Sequence, residues 1–105
     1  MTLPALVAGI SIAVVPATVQ RGHTVQVHGS AGDCPAGDAV TILSHAFAAT
    51  HQFAGVPAVY ARVARGGGFA TTTRIPSLKA PGRYVITGRC GGGNLGVEAH
   101  LTVRR

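Results

Sequence analysis

The chain has 105 residues, 47% of them apolar and only 11% charged, with a formal net charge of +6. That length suits one domain, and so apolar a composition excludes a disordered tail. The 15 glycines and 6 prolines exclude a coiled coil, and three acids, Asp33, Asp38 and Glu98, leave little material for a carboxylate-based active site.

The first feature along the chain is an apolar run from Leu3 to Val15, broken by Pro4, Gly9 and Ser11. It is compatible with the remains of a secretory leader's apolar core, although no Lys or Arg precedes it and no clear small-x-small cleavage pattern follows; a trimmed mature domain is the preferred reading. About a dozen apolar residues are too few to span a bilayer as a helix. Residues 1–8 are therefore read as an N-terminal extension, and 9–105 as a single domain whose first strand lies at 9–15.

Beyond that point the apolar period is two. Val25 and Val27 alternate with Thr24, Gln26 and His28. Phe69 to Ile75, Tyr84 to Cys90 and Val97 to Val103 alternate in the same way. This is the pattern of strands buried on one face. Turn residues fall between them: Pro16, Gly22, Gly29 to Gly37, Gly66 to Gly68, Pro81-Gly82 and Gly91 to Asn94. Seven strands are predicted, at 9–15, 23–29, 39–46, 58–65, 69–75, 83–90 and 96–103. No dozen residues carry a convincing helical stripe, so the fold class is all-β, and seven short strands with regular turns predict a β-sandwich. Taken alone, Cys34 and Cys90 are compatible with a disulfide or with two buried thiols. Neither lies in a CxxC, which argues against a zinc site.

A resemblance adds to this reading. The segment Val14-x-Pro16-x-x-Val19-x-x-Gly22-x-x-Val25-x-Val27-x-Gly29 resembles the opening of bacterial secreted Ig-like domains. Gly68-Phe69 through Ile75-Pro76 resembles their fifth strand, and Ala80-Pro81-Gly82-Arg83-Tyr84-Val85-Ile86 resembles the approach to their sixth. The resemblance implies a seven-stranded Ig-like Greek-key sandwich, secreted or on the cell surface, of the kind that serves as a stalk, spacer or adhesive module. It implies that Pro16 marks a break or sheet switch of the first strand, and that the Tyr84 hydroxyl reaches nearby backbone. It also places the loop after strand two and the end of strand six at one pole. A Cys34–Cys90 disulfide is then expected, closing a loop of about 57 residues in an oxidising compartment. Two departures stand out. The cysteines are not on the usual facing core strands, and the connection at 44–58 is unusually long.

Two regions offer candidate binding residues. At the cysteine pole, Gly-rich loops carry Asp33, Asp38, Arg89 and Asn94, and loops at one end of a sandwich are where such folds bind. The plain alternative is structural turns. The long connection carries His45, Phe47, His51 and Phe53, either as ligand contacts or as a lid whose rings fill the open end of the core. Nine Lys and Arg residues are scattered along the chain. Solubility is the plain reading of that scatter, and an anion-binding face is the sharper one. Five histidines show neither HExxH nor i, i+4 spacing, so no metal is expected. No nucleophile elbow and no phosphate loop is present, and the chain is not expected to be an enzyme or to use a cofactor. Expected partners are other surface domains or an extracellular protein or polysaccharide, with no nucleic acid and no membrane span. The alternative function is a secreted carrier that holds an apolar compound in a cleft near 44–58.

Overall fold

The computed structural model describes residues 9–105, so the extension expected at 1–8 lies outside the described residues. Nine strands are present: β1 (Ile10–Val15), β2 (Thr18–Gln20), β3 (Thr24–Ala31), β4 (Ala39–Leu43), β5 (Gln52–Phe53), β6 (Val56–Arg62), β7 (Gly68–Arg74), β8 (Gly82–Cys90) and β9 (Gly93–Arg104). They form a three-stranded sheet in the order β1-β3-β7 and a six-stranded sheet in the order β2-β9-β8-β4-β6-β5. The seven expected strands all occur, and the count is corrected by two short ones, β2 and β5.

β2 arises where β1 breaks. Val15 ends an antiparallel pairing with β3, and after two intervening residues Thr18 begins a parallel pairing with β9 in the other sheet. Pro16 sits at that crossing, where its missing N–H costs no ladder bond. The first strand thus belongs to both sheets and ties them together.

Alternating side chains fill the space between the sheets. Val14, Val25 and Val27 face Val40, Ile42, Ile86, Leu101 and Val103 in one core cluster, with Phe69 and Phe47 as its large rings. The expected third strand at 39–46 stops at Leu43. The next residues turn inward instead: Ser44 Oγ accepts from the Ala46 N–H at 3.1 Å, and Phe47 is fully buried. Lys79 Nζ donates to the carbonyls of His45 and Phe47 and holds this plug from outside. At the start of β8 the Tyr84 hydroxyl donates to the Ala80 carbonyl at 2.5 Å, so the ring packs against the core while its polar end is satisfied.

The sheets run pole to pole. The loops after β3, β6 and β8 share one pole, and the segments after β1, β4 and β7 share the other. β1 starts at the first pole, where Ile10 faces Ala31, and β9 ends at the second, where Arg104 faces Gln20.

Two substitutions probe this packing. Phe47→Ala removes the plug from a dry core and is expected to cost about 3–5 kcal/mol, read from denaturant midpoints. A Cβ at Gly29 would collide with the Ser11 carbonyl across the β1–β3 ladder. Gly29→Ala is therefore expected to free β1, seen as loss of amide-exchange protection over residues 10–15 while β8 and β9 stay protected.

Candidate functional site

The first pole is built around a covalent clamp. Cys34, in the loop after β3, and Cys90, the last residue of β8, form a disulfide with Cα atoms 6.0 Å apart. The loop is also held by hydrogen bonds. The Cys34 N–H donates to the Ala31 carbonyl, Gly37 N–H to Val63, and Val63 N–H to Asp38. Asp33 and Asp38 are exposed beside the bridge. Asn94 is exposed in the β8–β9 hairpin, where its Oδ1 accepts from the Gly96 N–H at 2.8 Å.

The second candidate region does not stay at its own pole. β5 and β6 form a hairpin closed by Ala54 and Gly55, both at positive φ (52° and 82°). Two successive positive-φ residues give the tight turn that matches strand twist. Phe53, before the turn, meets the Arg89 guanidinium at 5.0 Å from its ring centroid. Arg89 is on β8, two strands beyond β6, so the hairpin must curl back over the outer face of the six-stranded sheet. Ala58 records this, being fully buried yet outside the core cluster. His51 packs edge-on against the Tyr60 ring at 5.7 Å.

Arg89 is held from several sides. Its Nη2 donates to the Gly92 carbonyl. Its Nε is buried and has no hydrogen-bond partner among the described residues. The face of Phe53 supplies the remaining compensation through the cation–π attraction.

The candidates from the two regions are thus sorted differently from their sequence grouping. Arg89, Phe53 and His51 converge on one outer face. His45 is exposed near the plug, and Asp33 and Asn94 remain at the cysteine pole. Phe47 lies in the core, so it cannot line a solvent-open cleft for an apolar compound. The sequence reading missed Tyr60, which is 47% exposed. Its signal was available: Tyr60 and Arg62 alternate with Val59, Ala61 and Val63.

No family model and no curated protein matches the chain. Solved structures do share its fold. One is the alkylpurine DNA glycosylase AlkC of Pseudomonas fluorescens bound to DNA containing an abasic site analogue. It has 22% identity and a TM-score of 0.58, over 93% of this chain and 31% of that one. Another is a tetra-tandem repeat in the extending region of a large adhesion protein, with 14% identity and a TM-score of 0.59, over 91% of this chain and 24% of that one. A third is BslA, a bacterial hydrophobin, with 11% identity and a TM-score of 0.56, over 91% of this chain and 100% of that one. At these identities the likeness is one of fold. The chain spans less than a third of the first two structures.

One expectation is corrected here. The sequence reading took the chain not to be an enzyme, yet a region of this fold makes up 31% of a DNA glycosylase chain. A fold found within an enzyme does not exclude one, whatever its own supply of carboxylates.

The disulfide closes a loop spanning a sequence separation of 56, so reduction is expected to cost roughly 4 kcal/mol in the chain-entropy picture. Urea unfolding with and without reductant, each fitted with its own slope because the reduced denatured chain is less compact, measures that loss.

Proposed function

We propose that this chain is an Ig-like module of a secreted or cell-surface protein, acting as a structural spacer or as a binding and adhesion unit. The observation that carries the spacer reading is the path of the backbone. β1 starts at one pole and β9 ends at the other, along a body of 52 × 28 × 19 Å. Segments joined before β1 and after β9 would leave from opposite ends of the long axis, as a stalk requires.

Other features support the same reading. The sheet orders, with the first strand shared between sheets, support an Ig-like reading in which β6 and β5 extend one edge of the larger sheet. The Tyr84 hydroxyl bond to Ala80 has the form of a tyrosine corner. A disulfide belongs to an oxidising compartment. The adhesion-protein repeat of similar fold is a relevant precedent. The binding reading is supported by the outer face, where Arg89, Phe53, Tyr60 and His51 form a preset polar and aromatic surface.

Tension applied through the two ends loads the β1–β3 and β2–β9 ladders in shear. In a single-molecule stretching experiment the oxidised chain is expected to resist as a folded unit. Reduction should then add about 190 Å to the unfolded extension, because roughly 56 residues at about 3.4 Å each leave the disulfide loop. A chain that extends like a flexible linker at all forces would overturn the spacer reading.

A further inference from the structure

The two outer faces of the sandwich differ in charge. On the three-stranded sheet the outward residues of β3 and β7 are mostly neutral, including Gln26, His28 and Thr72. Their one Arg, Arg74, is tied down, its Nε donating to the Gly22 carbonyl at 2.8 Å. On the six-stranded sheet, Arg62, Arg83, Arg89 and Arg104 all alternate with buried core positions and so face outward. His100 faces the same way, paired with the single acid there, Glu98, at 3.4 Å. Four of the nine Lys and Arg residues therefore share one outer face.

The arginines keep binding capacity. Arg62 spends Nη1 on the Gly37 carbonyl at 2.6 Å, and Arg89 spends Nη2 on Gly92. A guanidinium has five N–H donors, so each retains others. Among the described residues, Arg83 and Arg104 make no side-chain hydrogen bond or ion pair. Arg83 and Arg89 lie about 20 Å apart along β8, at about 3.4 Å per residue. Tyr60 and Phe53 add exposed aromatic surface beside Arg89.

We infer that the outer face of the six-stranded sheet binds a linear acidic polysaccharide lying along β8, its carboxylates or sulfates meeting the arginines and its sugar faces resting on Tyr60 and Phe53. Charge complementarity selects an anionic polymer. Three features favour a polysaccharide over nucleic acid: the face is a sheet with no element projecting to enter a groove, its charges are widely spaced, and the disulfide belongs outside the reducing cell. This last point rests on the module reading given above.

The test uses the oxidised full chain and three probes: polygalacturonate, uncharged dextran and duplex DNA. Calorimetric titration at about 50 and about 200 mM salt should show polygalacturonate binding that weakens as salt rises, with no dextran binding. R83A/R104A should weaken binding about tenfold or more, and Y60A should weaken it as well, while R74A on the opposite sheet stays within about twofold. R89A is expected to act similarly, but Arg89 also braces Phe53, so the R83A/R104A pair, at exposed positions, decides the matter. Absence of polygalacturonate binding at low salt, equal loss in R74A, or tighter binding of duplex DNA would each overturn the proposal. The stretching experiment is independent of these titrations. A chain that resists force but binds no polyanion loses this face and keeps the module reading.

Discussion

The Cys34–Cys90 bridge joins the loop after β3, in the small sheet, to the last residue of β8, in the middle of the large one. It does at one pole what the β1–β2 switch at Pro16 does at the other: it makes the two sheets one object. The need for such ties follows from the core. Its residues are mostly Val, Ile and Ala, with only Phe47 and Phe69 as large fully enclosed rings. Small side chains bury less area each, and a chain of this size has little surplus stability to lose. The covalent clamp also frees the neighbouring loops from a structural duty, which is why they tolerate exposed acids and runs of glycine.

Much of this architecture was legible in the sequence. Period-two alternation located β3, β7, β8 and β9, because one face of each is buried and the other exposed. Pro16 marked the sheet switch, since a residue without an N–H is cheapest where a ladder ends. What escaped was short or non-periodic. β2 and β5 hold three and two residues, too few for alternation to register. The third strand ends at Leu43 although Ser44 to Phe47 is apolar enough to continue it; the backbone leaves the sheet in a local turn closed by the Ser44 hydroxyl and the Ser44 carbonyl.

The surface was harder to read than the fold. Arg89 and Phe53 are 36 positions apart and belong to separate candidate regions, yet they touch. Their meeting depends on a hairpin turn in which Ala54 adopts a positive φ. An alanine gives no warning of that, because the conformation is favoured by Gly and Asn. The charge asymmetry was hidden for another reason. Four arginines far apart in the chain fall on one face once alternation and strand order are known together, and only the first of these is written in the sequence.

The small sheet carries a further consequence, for behaviour in concentrated solution. Its order, β1-β3-β7, leaves β1 and β7 as edges. Among the described residues, β1 has no charged side chain and no proline between Ile10 and Val15, and both of those end residues are about half exposed. Edges of that kind lack the usual guards against strand-to-strand pairing between molecules. The unpaired row of N–H and C=O groups along β1 is the backbone template on which a strand from a second molecule can be added.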